Sequence, residues 1–241
     1  MKLSIIIPAF NEEKNLDKTV YKFNDYLKNQ NYDFEIIIVN DGSSDKTAEV
    51  AEKLSAEFPY IKLINNKINK GKGAAVRQGF MSGQGEYCLF IDADNATDID
   101  HLDSAWPLFE KGVDIVIASR SFRDHPETVQ KIKQTIWKRS LGLAGNLIIQ
   151  FLAVKKIWDT QCGFKIFSPK ALEIILPRMT INRWAFDVEM LVIARKHKMN
   201  IGIIPVVWVN LEFSRVGISG YFSSLKEVVR IKTNLIKNKY N

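Results

Sequence analysis

Three features of the sequence predict an α/β fold with a mostly parallel central sheet flanked by helices. Five short runs rich in Ile, Val and Phe recur over the first 120 residues. Segments with apolar residues at helical spacing separate them, and acidic or Gly-bearing loops follow their carboxyl ends. Strands alternating with helices form parallel sheets covered on both faces, with ligands bound at the carboxyl ends of the strands.

Taken in order, Leu3 to Ile7 reads as a buried strand. Asn11 is placed to cap a helix carrying Leu16, Val20, Phe23 and Leu27. Phe34 to Val39 is the second strand, followed by a turn and a helix from about Ser44 to Glu57. Tyr60 to Ile64 is the third strand, and a helix begins near Gly73. Tyr87 to Ile91 is the fourth strand, with a helix near Asp98 to Glu110 after it, and Asp114 to Ala118 is the fifth. Beyond Arg120 the pattern changes. A basic segment precedes an apolar helix from Leu141 to Val154, and Asp159 to Phe167 leads to a helix from about Asn182 to His197. A strand-like Ile201 to Val209 and a basic amphipathic elaboration at the C-terminus complete the chain. With no internal repeat, one domain over residues 1–215 and a basic amphipathic tail over 216–241 is the simplest division.

Composition narrows the function classes. The 241 residues suffice for a real core, and 46% hydrophobic with 25% charged residues excludes a disordered chain. Two Cys and 3 His cannot make a disulfide framework and leave little for a zinc site, so a reduced, cytosolic setting is expected. The three isoleucines at Ile5–Ile7 are too short for a signal peptide. The longest apolar run, Leu141 to Val154, is interrupted by Asn146 and Gln150 and falls short of the roughly 20 residues that span a bilayer. No transmembrane helix is expected. A net charge of +7 leaves three partner classes: nucleic acid, an anionic membrane surface, or a phosphorylated small molecule.

Acidic residues fall just past three strands: Glu12 after the first, Asp41 after the second, and Asp92 with Asp94 after the fourth. Asp92 and Asp94, two apart in extended chain, are suited to hold a hard divalent cation whose remaining ligands are water and diphosphate. Asn40-Asp41-Gly42-Ser43-Ser44 is also good turn chemistry, and a capped loop is the ordinary alternative for Asp92 and Asp94. Their recurrence at successive strand ends favours a ligand site. Asn69 to Arg77, a Gly-rich basic loop opening a helix, reads as an anion cradle. No Gly-Lys-Ser/Thr closes it and no Gly-rich fingerprint follows the first strand, which disfavours a P-loop ATPase and an NAD enzyme.

The segments IIIPAFNEE, VNDGSSDKT, NKGKGAAVRQGF and DAD, in this order and spacing, resemble the inverting glycosyltransferases of family 2, which have the GT-A fold. Asp159-Thr-Gln-Cys-Gly-Phe-Lys165 and Arg183-Trp-Ala-Phe-Asp-Val-Glu189 are similar to the dolichyl-phosphate β-glucosyltransferase branch, sister to the dolichyl-phosphate mannose synthases. The resemblance spans roughly residues 3 to 215. It implies that Pro8, Phe10, Glu12, Val39 and Asp41 hold the nucleobase and ribose of a nucleotide sugar, and that Asp92 and Asp94 hold Mg2+ or Mn2+ on its diphosphate. It also implies that Arg120 and Arg139 grip an acceptor phosphate and that Asp187 is the acceptor-side aspartate. A Gln that assists the metal in the mannose synthases is Ala96 in this chain, which leaves the third protein ligand open.

The implied reaction moves a hexose, glucose from UDP-glucose foremost, onto a polyprenyl or dolichyl phosphate. GDP-mannose or a UDP-N-acetylhexosamine is the alternative donor. Negative charge developing on the departing diphosphate would be met by the metal and by Lys72. Asp94, Asp187 and Arg120 form the expected catalytic set. A phosphate monoester has a second pKa of about 6, so the acceptor is largely ionised and needs cations more than a strong base. From Arg120 to Arg139 six basic residues face two acids, and from Arg215 to Asn241 six face one. These two segments carry more positive charge than the whole chain nets.

A carboxylate at Asp187, on an apolar helical stripe, is either paired, with Arg183 one turn earlier as the obvious partner, or facing the site. Trp184 is placed to pack under the sugar or against the core, and Cys162 reads as a small packing residue rather than a nucleophile. Lys155, Lys156 and Trp158 after the apolar helix, and Leu225, Val228, Val229, Ile231, Leu235 and Ile236 in the tail, suit peripheral contact with an anionic membrane at its cytoplasmic face. A different class, a non-enzymatic basic module binding membrane or nucleic acid, explains the charge but not the carboxylates at three strand ends. Nucleic acid is not expected as a partner.

Overall fold

The computed structural model describes residues 1–130, 145–208 and 218–241. Nine strands are present among them: β1 (Leu3–Ala9), β2 (Phe34–Asp41), β3 (Ile61–Asn66), β4 (Tyr87–Ile91), β5 (Ile115–Ser119), β6 (Val129–Gln130), β7 (Phe164–Phe167), β8 (Ile201–Pro205) and β9 (Val207–Trp208). The helices are α1 (Leu16–Leu27), α2 (Thr47–Glu57), α3 (Lys72–Ser82), α4 (Leu102–Glu110), helical residues 145–152 (α5), α6 (Pro169–Ile175), α7 (Phe186–Lys196) and α8 (Ile218–Ile236). Seven strands form one sheet in the order β3-β2-β1-β4-β7-β5-β8, and β6 pairs with β9. All pairings in the large sheet are parallel except those of β7, which runs antiparallel to both β4 and β5. The strands of the parallel core start within a residue or two of the positions expected from the apolar runs.

Alternation along the strands divides the core. Leu3, Ile5, Ile7, Ile36 and Ile38 face one layer with Leu16, Val20 and Phe23 of α1 and Leu54 of α2. Ile6, Ile37 and Val39 face the other, with Val76 and Phe80 of α3 and the apolar side of α7. This is the two-sided burial that continuous Ile/Val runs require.

Three expectations need correction. Asn11 does not cap α1. It sits at φ 57, and its side-chain oxygen accepts from Ser44 N at 2.9 Å, joining the loop after β1 to the loop after β2. Phe164–Phe167 and Pro169–Ile175 form a strand and a helix that the apolar pattern alone did not declare, because the strand is four residues long and carries a lysine. Val228 and Ile231 of α8 are buried in the main core, with Leu235 packed against it, so they are not available as an outward apolar side. Among its described side chains, the apolar residues that α8 exposes are Phe222, Val229 and Ile236, seven apart, beside exposed Lys226, Arg230 and Lys237. Part of the expected Leu141 to Val154 helix, with Arg139 and Arg215, lies outside the described residues. In the part described, Ile149 is buried while Leu147 and Phe151 are exposed.

Candidate active site

The register of β1, β2 and β4 brings their carboxyl ends to one edge: Pro8 lies beside Val39, and Asp41 beside Asn66 of β3. Asp92 directly follows the last residue of β4, and Arg120 directly follows β5. Helix α7, which carries Asp187 in its first turn, packs under the same edge through Phe186 against Phe90 at 5.4 Å between ring centroids. Pro8, Val39 and Asp41 are buried, and Phe10 is 44% exposed. The loop after β1 is laced to the start of α2: Glu12 N donates to Thr47 Oγ1 at 2.7 Å and Lys46 N to Glu13 Oε2 at 3.0 Å. The Glu12 carboxylate accepts from Asn15 Nδ2 at 3.0 Å.

The Gly-rich loop is not an open anion cradle. Lys70 N and Gly71 N donate to the two oxygens of Asp41, at 2.9 and 2.8 Å. Gly73 N and Ala74 N donate to the carbonyls of Arg183 and Asn182. The amides that the sequence offered to an anion are taken by the protein itself, and they tie α3 to the entry of α7. Gly71 has φ 103, and a Cβ there would lie 2.4 Å from the Asn182 carbonyl, so this junction accepts only glycine.

Lys72, the first residue of α3, reaches Asp92 with Nζ 2.6 Å from Oδ1. Partial burial disfavours its charge, yet Asp92, and beyond it Asp187 and Asp94, outweigh that and raise its pKa. Asp94 turns back on its own loop, accepting from Ala96 N at 3.0 Å. Thr19 of α1 secures this loop by donating to the Ala93 carbonyl at 2.7 Å.

These carboxylates fit a hard divalent cation. Asp92 Oδ1 is buried and carries the Lys72 ammonium at 2.6 Å, so a cation bound there would share this carboxylate with Lys72. No cluster of three or more His, Cys, Asp or Glu able to hold a metal exists among the described residues. Two carboxylate oxygens with phosphate and water completing the shell is the arrangement Mg2+ favours. Ala96 contributes no ligand atom from its side chain.

Arg120 is engaged as a fork. Its Nε and Nη2 donate to the two oxygens of Asp159, at 2.7 and 2.8 Å, and its backbone N adds a third bond at 2.8 Å. Burial works against ionised Asp159, but Arg120 outweighs it and holds the carboxyl below the usual range. Asp187 is 5% exposed, and the cation near it is Lys165 of β7, with Nζ 3.9 Å from Oδ2. Arg183, the partner expected from helical spacing, is exposed instead. Burial raises the Asp187 carboxyl to about 6 against the opposing pull of Lys165 and Lys72. Cys162 is fully buried and its thiol is pushed up to about 11 by that burial, which makes it inert as a nucleophile.

Residue-type reasoning missed four participants. Asp159 holds Arg120. Gly163 lies so close to Asp92 that a Cβ there would come within 2.0 Å of Oδ2. Lys165 faces Asp187. Glu227 of α8 accepts from Trp184 N and Ala185 N, both at 2.9 Å, and so caps α7 from outside. A signal existed for Lys165 alone: a lysine flanked by Phe164 and Ile166 in an apolar run must find a partner if the run is buried.

A mostly parallel sheet with acidic loops at its carboxyl edge and a late antiparallel strand is the architecture of the GT-A fold. Solved structures agree. Mannosyl-3-phosphoglycerate synthase from Rubrobacter xylanophilus superposes with a TM-score of 0.71 at 17% identity, covering 99% of this chain and 75% of that one. Glucosyl-3-phosphoglycerate synthase from Mycobacterium tuberculosis, in complex with Mn2+, UDP and glucosyl-3-phosphoglycerate, gives 0.66 at 18% identity over 95% of this chain and 78% of that one. The sequence then places the chain more narrowly: it matches Glycosyl transferase family 2 over residues 4–176 and belongs to that family. Among curated proteins, a dolichyl-phosphate beta-glucosyltransferase of Trichomonas vaginalis is 37% identical, covering 95% of this chain and 72% of the relative. The dolichyl-phosphate beta-glucosyltransferase of Homo sapiens is 35% identical over 89% of this chain and 69% of its own length. The chain is therefore a glycosyltransferase, and the non-enzymatic alternative falls away.

Proposed function

We propose that this chain transfers a hexose, glucose from UDP-glucose, onto a dolichyl or polyprenyl phosphate with inversion at the sugar. The observation that carries the reading is the convergence on one sheet edge of Asp92, Asp94 and Lys72 with Arg120 and Asp187. A diphosphate and a second phosphate can thus be held by different groups side by side. The identity to relatives named for glucose transfer to dolichyl phosphate supports the choice of substrates.

In this reading Pro8, Phe10, Glu12, Val39 and Asp41 form the nucleoside end. Phe10 presents an exposed ring to the base, and buried Val39 acts as floor. Asp92 and Asp94 hold Mg2+ or Mn2+, which supplies neutralisation of charge on the leaving diphosphate. Lys72 adds a fixed ammonium on the same side. Arg120, with its guanidinium oriented by Asp159, and Arg139 bind the acceptor phosphate. That phosphate has a second pKa of about 6 and attacks as an already ionised oxygen. Asp187 orients acceptor and sugar rather than taking a proton.

The functional division places catalysis in residues 1–215 and membrane contact in 216–241. Among the described residues no helix is long and apolar enough to cross a membrane. Phe222, Val229 and Ile236 flanked by Lys226, Arg230 and Lys237 suit peripheral attachment of α8 to an anionic leaflet on the cytoplasmic side. The direct test is a panel of labelled nucleotide sugars with dolichyl phosphate, scoring label that enters the organic phase. Transfer from UDP-glucose alone is expected. Preferential use of GDP-mannose or a UDP-N-acetylhexosamine would overturn the donor, and transfer only to water-soluble sugars would overturn the acceptor.

A further inference from the structure

Lys165 has no exposed surface at all, and it sits in the middle of the sheet. Its neighbours across the ladder are Phe90 of β4 and Ile117 of β5, both apolar. A lysine in such a place is strongly disfavoured unless its ammonium is paired. Its Nζ donates to the Cys162 carbonyl at 2.6 Å, lies 5.7 Å from the centroid of the Phe90 ring, and stands 3.9 Å from Asp187 Oδ2. The carbonyl it holds belongs to the loop that carries Asp159, the partner of Arg120, and Gly163, which packs on Asp92. One side chain therefore touches both the loop behind the acceptor arginine and the aspartate of α7.

We propose that Lys165 is a positioning residue for the transfer reaction: its buried ammonium, anchored on the Cys162 carbonyl, fixes the Asp187 carboxylate at the acceptor side of the site. The inference rests on the reading of Asp187 as the acceptor-side aspartate. An ordinary core position would hold Met or Leu here, which would fill the space without a charge to pair. A lysine at this point is explained by the carboxylate it faces.

The charged groups around Asp187 are Lys165 from β7, Lys72 from α3 and Asp159 from the loop before β7. Lys165 and Lys72 favour the ionised carboxyl, while burial and Asp159 oppose it. Removing the Lys165 charge leaves burial less opposed, so Asp187 becomes largely protonated at neutral pH.

The test is turnover of UDP-glucose and dolichyl phosphate by Lys165→Met, Asp187→Asn and the double variant, each over pH 5.5 to 9. Lys165→Met is expected to lower kcat at pH 7 by roughly tenfold, with the acidic limb displaced upward by a pH unit or more and activity recovering at the alkaline end. The KM for UDP-glucose should stay within about twofold, because donor contacts lie elsewhere. In the Asp187→Asn background the same change should have little further effect, since both act through one pair. If Lys165→Met does not fold, Lys165→Gln keeps a donor for the Cys162 carbonyl and removes only the charge, with the same expected shift. An unmoved pH profile in a folded Lys165 variant, or losses that multiply in the double variant, would overturn the positioning role. Full turnover in Asp187→Asn alone would instead overturn the reading of Asp187, and the inference with it.

Discussion

At the scale of single residues, Asp187 opposes the fold that holds it. Its carboxyl titrates near 6 in the native chain against 3.8 for the unperturbed group, so the folded state binds that proton more tightly than the unfolded state. Stability contributed by the bound proton is present below about pH 3.8 and is lost as pH rises through 6, a loss on the order of 2–3 kcal/mol at neutral pH. Asp187→Asn alone would leave the buried Lys165 ammonium without its carboxylate, so the cost is read from the Lys165→Met, Asp187→Asn double variant, which removes both charges and is expected to raise the Tm at pH 7.5 by roughly 5 °C. A lowered Tm at pH 7.5 in differential scanning calorimetry would refute the balance drawn here. Gly163 makes the opposite case, a residue with no chemistry of its own. In Gly163→Ala the new methyl would displace Asp92 from its place beside Lys72, and displacements of that order reduce turnover about a hundredfold. Steady-state assays on variant chain with unchanged circular dichroism would detect it. Asp92, Asp94 and Asp187 were legible in the sequence because carboxylates at strand ends and on apolar stripes stand out. Gly163, Asp159 and the Lys165–Asp187 pair were not, because each owes its role to a residue distant in the chain.

Among the elements, α7 is held from two sides. The amides at the start of α3 bind the carbonyls of Asn182 and Arg183, and Glu227 of α8 receives Trp184 N and Ala185 N. Glu227→Ala removes a charged acceptor from two helix-entry amides and is expected to reduce stability by about 1–2 kcal/mol, read from urea unfolding at constant m-value. If the variant were as stable as the native chain, water would have replaced the cap. The same arrangement explains why the Gly-rich loop read as an anion site and is not one. Glycines and a basic helix start look alike whether the amides point to a phosphate or to another loop. The strands β1, β2 and β4 were clear from their apolar runs. β7 was hidden because four residues with a central lysine do not form a recognisable period.

For the molecule as a whole, charge and apolar surface are distributed unevenly. The excess of basic residues lies in the segment after Arg120 and in the C-terminal tail, and α8 adds an exposed Phe222, Val229 and Ile236. Replacing these three by Ser should leave the Tm within a few degrees, since they are outside the core. It should also reduce sedimentation with anionic vesicles at moderate salt by at least about tenfold. Equal sedimentation of the variant would assign attachment to another surface. The tail was legible as basic and amphipathic, but not which side faces out. Val228 and Ile231 look no different in sequence from Val229 and Ile236, and only the position of the core separates them.

The late strand β7 also bears on how the chain is made. Residues 87–91 and 115–119 end up on either side of a strand that lies 40 residues or more further along. While the ribosome is still short of residue 167, β4 and β5 each present an apolar edge with no neighbour, and such edges pair readily with other chains. The half-made polypeptide is thus most prone to aggregate in this interval. Closure of the sheet is also the event that brings Gly163 onto Asp92 and Lys165 under Asp187. A nascent chain arrested before residue 160 is expected to expose β4 to protease. One arrested after enough further residues to clear the exit tunnel and complete β8 should protect it, so that the enzyme acquires its site and its solubility in the same step.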